Sequence, residues 1–128
     1  MRVSVAIVCH DSLVLLIRRK KREGNLLWQF PAGQIEENET SGNAAVREVF
    51  EETSVICTPK KKLGKRMHPE TTVEIHYWLC DFLSGQPNGD NDDETDEAIW
   101  CPIKDINLYI KTDIYPAVWN YLQHKLKD

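Results

Sequence analysis

No run of apolar residues in this 128-residue chain approaches the length of a membrane-spanning helix, so no membrane association is expected. The apolar stretch after Met1 carries Arg2 and Ser4 and meets His10 and Asp11 too soon for a secretory leader, so none is expected. The four cysteines, Cys9, Cys57, Cys80 and Cys101, are scattered and contain no CxxC pair. That spacing argues against a structural zinc site and predicts reduced, partly buried thiols in a cytoplasmic protein. No internal repeat and no linker-like segment divides the chain, so residues 1–128 are expected to form one domain with a core of its own. An apolar content of 41% and a charged content of 28% are those of an ordinary globule. The net charge of −4 is unevenly spread. Residues 18–22 (RRKKR) and 60–62 (KKK) are basic, whereas residues 90–97 (DNDDETDE) are acidic. The basic runs read either as solvated loops or as a rim that attracts polyphosphate, with Arg18 a candidate substrate contact. The acidic stretches would repel a nucleic-acid backbone, so duplex binding is not expected.

A second acidic stretch lies between residues 33 and 55. Glu36, Glu37, Glu39, Glu48, Glu51 and Glu52 stand there with one arginine, Arg47. Glu48, Glu51 and Glu52 are spaced i, i+3, i+4, which on a helix puts their carboxylates on one face. Like charges so placed repel by roughly 0.2–0.5 kcal/mol per pair. A divalent cation would turn that repulsion into attraction, and oxygen-only donors suit a hard ion such as Mg²⁺ or Mn²⁺.

Strand and helix signals surround this segment. Residues 3–9 and 13–17 read as a β-hairpin turned at His10-Asp11-Ser12. The basic run through Gly24-Asn25 reads as a loop, Leu26–Phe30 as a short strand stopped by Pro31, and Ala32-Gly33 as a tight turn. Thr40 or Ser41 is a suitable N-cap for a helix ending near Thr53, with Ala45, Val49 and Phe50 as its apolar stripe. Val55–Thr58 starts another strand, and residues 71–83 form a long alternating one. A short strand, Ala98–Cys101, ends at Pro102, and Ile103–Leu108 makes a helical turn. Asp113 is the expected cap of a last helix presenting Ile114, Val118, Tyr121, Leu122 and Leu126 on one face. Strands on both sides of a central helix, with a further helix at the end, predict an α/β/α sandwich with a mixed β-sheet.

The offsets of Gly33, Glu39, Arg47, Glu48, Val49, Glu51, Glu52 and Val55 match the Nudix box, with Ser54 where the family pattern has glycine. The chain thus resembles the Nudix hydrolases, and Trp28, Pro31 and the acidic segment ending at Trp100 extend the likeness beyond the box. The family glycine suits a left-handed helix cap, a conformation that costs serine on the order of 1 kcal/mol.

The resemblance implies Mg²⁺- or Mn²⁺-dependent hydrolysis of a pyrophosphate bond in a nucleoside diphosphate linked to another group, with an alkaline optimum. It implies that Glu48 and Glu52 are the principal metal ligands, with Glu51 and the Ala32 carbonyl as further ones. Gly33 would allow close approach of the chain to metal and phosphates, Arg47 would orient the carboxylates, and Glu39 would support the loop or the metal shell. The general base in relatives is either a box glutamate or a carboxylate in a later loop. Glu94, also a candidate ligand, is the first choice for that loop residue here and Glu97 the second. Trp28, Tyr77, Trp78 and Trp100 are available to hold a base, Trp28 and Tyr77 being the chosen candidates, and His68 could meet a phosphate. The short chain resembles the MutT branch, which converts (d)NTPs or oxidised (d)NTPs to monophosphate and pyrophosphate. Phe30-Pro31-Ala32-Gly33 and Pro69 resemble features of ADP-ribose pyrophosphatases, which makes a nucleotide-sugar substrate the alternative. A reading of a different class is a non-catalytic nucleotide or RNA sensor, against which stands the intact set of Arg47, Glu48, Glu51 and Glu52. Relatives are monomers or homodimers.

Overall fold

The computed structural model describes residues 1–23 and 26–127; the expected loop at Gly24-Asn25 lies outside the described residues. The elements run β1 (Arg2–His10), β2 (Leu13–Glu23), β3 (Leu26–Gln29), β4 (Ala32–Gln34), α1 (Ser41–Thr53), β5 (Ile56–Met67), β6 (Glu74–Ser84), β7 (Thr95–Pro102), a 3-10 turn (Ile103–Asp105), α2 (Ile106–Tyr109) and α3 (Pro116–Leu126). Among the described residues no helix is long and apolar enough to cross a membrane.

β1 and β2 meet only at their hairpin end, where Cys9 and His10 face Val14 and Leu13. Beyond that point the two strands part. β4 takes the freed edge of β1 near its start, while β3 pairs the far end of β2. On its other edge β1 runs parallel to β6, and β6 is antiparallel to β5; β2 pairs β7 antiparallel. The result is one mixed sheet split into a β7–β2–β3 half and a β4–β1–β6–β5 half. Period-two alternation gives each face its own core. Ala6, Val8, Leu15 and Cys80 meet Ala45, Val49 and Val55 on the α1 side. Ile7, Val14, Leu16 and Leu79 meet Ile103, Ile106, Val118 and Leu122 on the other. Helices on both faces make the α/β/α arrangement that the sequence pattern predicts.

α1 begins where the Thr40 hydroxyl accepts from the Asn43 N–H. It ends at Ser54, which is left-handed (φ 67°) and donates its N–H to the Phe50 carbonyl at 2.9 Å. The Thr53 hydroxyl donates to Val49 O (2.7 Å) and accepts from Val55 N (3.1 Å), so the buried end is hydrogen-bonded without glycine.

The structure corrects several local expectations. The basic run 18–22 is strand, because β2 continues between β3 and β7 and meets acidic partners across the ladder (Arg18 opposite Glu97; Lys20 Nζ to Asp90 at 2.6 Å). Lys60–Lys62 likewise lie within β5, an edge strand bulged on either side of them, where exposed lysines tolerate strand geometry. Ala32-Gly33 is strand paired to β1, not a turn. β7 starts at Thr95, so the last three residues of the acidic segment are strand. Phe50 is 55% exposed and leaves the helix stripe to Ala45 and Val49. The last helix is capped at Tyr115 with no side-chain bond, and Pro116 takes its first turn; Asp113 lies before the cap. The cysteines are free, and burial pushes the thiols of Cys9 and Cys101 up to about 12 and about 11, so neither is ionised near neutrality.

Candidate active site

The parting of β1 and β2 creates the site. β4 fills the gap, and α1 packs beneath it with its glutamates turned upward. Gly33 lies directly over Glu48: a Cβ there would stand 2.1 Å from the Glu48 carboxyl carbon. Its backbone is not left-handed, so glycine is required by space and not by torsion. Beside it, the Ala32 N–H donates to Glu52 Oε1 at 3.0 Å. Glu52 is 1% exposed, and its second oxygen is 3.6 Å from Arg19 Nη1. Burial, opposed by Arg19 and reinforced by Glu48, pushes its carboxyl up to about 9. Burial also raises Glu48, against the pull of Arg47. Glu51, at the exposed edge of the same helix face, is half-exposed.

Arg47 fastens the group together. Its Nε and Nη2 donate to the two Glu39 oxygens (2.7 and 3.0 Å), its Nη1 to Glu48 (2.8 Å) and Glu51 (3.2 Å), and its Nη2 to the Gln34 carbonyl (2.9 Å). The guanidinium holds the Glu39 carboxyl below its ordinary value, and Glu39 in return accepts from the Glu36 N–H. The loop from Gln34 to Glu39 is thereby tied to the helix carrying the carboxylates.

Arg19 plays the corresponding part on the other side. Its Nη1 reaches Glu94 Oε2 at 2.9 Å as well as Glu52. With the Gln29 amide oxygen turned toward it, Gln29 accepts from Nη2 (3.0 Å) and Nε (3.3 Å). Glu94, largely exposed, is thus linked to Glu52 through one guanidinium. Asp92 Oδ1 accepts from the N–H groups of Glu94 and Thr95 and so shapes that loop, and its charge is felt by Glu48 and Glu52. Glu97 instead faces Arg18 (3.2 Å).

A cleft of about 760 Å³ opens on the α3 side of Ala32 and Gly33, within the range of small-molecule sites. Val5, Ile75 and Tyr77 line its floor, and Ile114 and Tyr115 its far wall. Of the residues singled out from sequence, Ala32, Gly33, Tyr77 and His68 line this cleft. Glu48 and Glu52 lie just behind the glycine, and Arg47, Glu39 and Glu51 lie with them. Arg18 and Trp28 are elsewhere. Arg18 binds Asp96 (2.8 Å) and lies over the Trp28 ring (5.5 Å), and Trp28 packs edge-on against Tyr109. Arg19, not Arg18, reaches the cleft, because strand alternation turns neighbours to opposite faces. Reading the basic run as strand would have exposed that choice. Asp92, Arg66 and Tyr115 carry no sequence signal that separates them from their neighbours.

The donors suit a hard divalent cation: they are all oxygen, two of the carboxylates are largely buried, and the glycine opens onto them. Among the described residues no three acidic, histidine or cysteine side chains converge as a finished cage. Arg47 and Arg19 occupy the carboxylate oxygens that would have to turn toward a metal.

A family model described as the NUDIX domain matches residues 1–122. A Mycobacterium tuberculosis protein carrying the name MutT4 is 37% identical over 101 residues, covering 71% of this chain and 39% of that protein. The 8-oxo-(d)GTP phosphatase of Mycolicibacterium smegmatis is 32% identical over 80 residues, covering 59% of this chain and 24% of that protein. The aligned part therefore spans well under half of either relative. The solved NUDIX hydrolase of Nitrosomonas europaea has a TM-score of 0.80 over 98% of this chain and 72% of that one, a likeness of fold at 21% identity.

Proposed function

Since the chain belongs to the Nudix hydrolase family, we propose that it cleaves the pyrophosphate bond of a nucleoside triphosphate, normal or oxidised, to a monophosphate and pyrophosphate. Nudix enzymes act on small nucleotide substrates, and a relative named for 8-oxo-(d)GTP favours the triphosphate class. The observation that carries the reading is the Glu48 carboxylate packed where a Gly33 side chain would be, with Glu52 against the Ala32 N–H beside it. Two largely buried acids behind a glycine, at the end of a cleft of nucleotide size, form an oxygen-donor set that a divalent cation and phosphates would complete.

Glu48 and Glu52 would hold Mg²⁺ or Mn²⁺, with Glu51 and the Ala32 carbonyl as further ligands. A bound metal supplies charge neutralisation and a more acidic water. The chain supplies the rest. Arg47 fixes the carboxylates through Glu39 and the Gln34 carbonyl. Gly33 lets phosphate oxygens approach the backbone. Glu94 takes the proton of the attacking water as oxygen adds to phosphorus and the bridging P–O bond breaks. Arg19 can pass from Glu52 and Glu94 to the phosphate charge. The apolar floor at Val5 and Ile75 receives the base, the Tyr77 ring being buried against Tyr115. The free thiols fit a reducing compartment such as the cytoplasm.

The test is product analysis with Mg²⁺ on normal and 8-oxo nucleoside triphosphates, ADP-ribose and diadenosine polyphosphates, with Glu52→Gln as control. Pyrophosphate from triphosphates, abolished in the variant, is the expected result. Turnover of ADP-ribose alone would transfer the assignment to the nucleotide-sugar class. Binding without turnover of any compound would favour a sensor.

A further inference from the structure

The far wall of the cleft holds an arginine with no anion beside it among the described residues. Arg66 donates its Nε to the Tyr77 hydroxyl at 3.1 Å. Its guanidinium carbon lies 5.8 Å from the Tyr77 ring centre and 5.3 Å from that of Tyr115. The two rings are stacked, 4.4 Å apart and 13° from parallel. Gly64 makes room for this, since a Cβ there would come within 2.5 Å of the Tyr115 hydroxyl. Among the described residues no carboxylate lies within ion-pair distance of Arg66, whereas Arg18, Arg19 and Arg47 each hold two or more. A guanidinium braced by two aromatic rings, with no partner on its terminal nitrogens among the described residues, is prepared for an external acceptor.

The position says which acceptor. Ala32 pairs Val5, Val5 pairs Tyr77 and Tyr77 pairs Gly64, two residues from Arg66. Arg66 is thus three strand spacings, about 14 Å, from the carboxylate end of the cleft. The floor between is apolar, formed by Val5 and Ile75, with Tyr77 buried beside them against Tyr115. Such a floor accepts a flat base and is unsuited to phosphate, which needs N–H donors and cations. With the phosphates at the Gly33 end, as the proposed function has them, the base edge falls at Arg66. A guanidinium offers parallel N–H donors. Guanine and hypoxanthine meet them with adjacent O6 and N7 acceptors, 8-oxoguanine with O6 alone because its N7 carries a proton, whereas adenine presents an amino donor in place of O6.

We infer that Arg66 is a specificity-determining residue that binds the O6 edge of a 6-oxopurine nucleotide and selects it over adenine. This rests on the proposed function for the placement of the phosphates. The test compares GTP, ITP and ATP, because ITP keeps O6 and N7 but lacks the 2-amino group. Wild type is expected to prefer GTP and ITP alike over ATP. Arg66→Met should raise KM for GTP and ITP about ten- to a hundredfold, with kcat, the KM for ATP and the unfolding midpoint held. Arg66→Lys should resemble Arg66→Met, since an ammonium cannot present two parallel donors. Calorimetric titration of wild type and Arg66→Met with the α,β-methylene analogues of GTP and ATP reads the same preference without turnover. Failure of hydrolysis with this preference intact would count against the proposed function and not against Arg66. Equal losses for all three bases, full rescue by lysine, or wild-type preference for ATP would overturn the assignment; the first two would make Arg66 a structural or phosphate contact.

Discussion

Arg47 and Arg66 stand on opposite sides of the sheet in opposite electrostatic company. Arg47 is enclosed by Glu36, Glu39, Glu48 and Glu51, all within 3.6 Å. Arg66 touches two tyrosines and, among the described residues, no carboxylate. The first cation is consumed in holding acids that would otherwise repel; the second is held by neutral neighbours and keeps its charge for a ligand. Stability and recognition are thus assigned to different arginines, and substitutions should separate them.

The strongest blow to the acidic side is Glu52→Gln, which preserves shape and removes the charge of a proposed metal ligand. It should lower kcat by about a thousandfold, the several kcal/mol a positioned metal supplies, while the fold survives; steady-state turnover and the far-ultraviolet spectrum decide this. Gly33→Ala should follow. Its methyl group must displace the Glu48 carboxylate, and a shift of that size costs about a hundredfold in rate. Arg47→Met should cost about 2 kcal/mol of stability by leaving partly buried carboxylates unpaired. Arg66→Met should cost little by the same denaturant titration. Equal destabilisation by both would erase the contrast between the two arginines.

A pH series sharpens it further. Glu52 titrates at about 9 in the folded, metal-free chain and near its ordinary 4.5 when unfolded. Between those values the folded state carries a proton that the unfolded state lacks, so metal-free stability should fall as pH rises through that window and level off above it. Glu52→Gln should flatten this component. Added Mg²⁺ must displace the proton, so its stabilising effect should grow with pH over the same window. A metal-free unfolding midpoint indifferent to Glu52→Gln across the series would contradict the buried, protonated carboxyl. Last, Ser54→Gly should stabilise by at most about 1 kcal/mol without altering kcat, because it relieves only a left-handed cap.

What could be read before folding follows from the range of each interaction. The i, i+3, i+4 spacing of Glu48, Glu51 and Glu52 is local, and so are the Thr40 cap and the left-handed end at Ser54. Both cores, with their helices on opposite faces, follow from period-two and period-3.6 patterns. For the basic segments, charge suggests a loop where the structure has strand. Whether charge is tolerated in a strand depends on what pairs across it, and residues 90–97 are too far along the chain to reveal that. The same error exchanged Arg18 for Arg19: one residue of strand alternation decides which guanidinium meets Glu52 and which meets Asp96.

The helix that carries the acids, the glycine before it and the family to which the chain belongs follow from the order of residues alone, because these depend on fixed local offsets. The assembled fold sets how the acids are graded, from the buried Glu52 to the half-exposed Glu51, since burial depends on β4 lying across one end of that face. It alone brought Arg19 to Glu94 and set Arg66 between Tyr77 and Tyr115. Those contacts join strands and loops distant in the chain, and their geometry exists only after β1 and β2 have parted and the sheet has assembled around the gap.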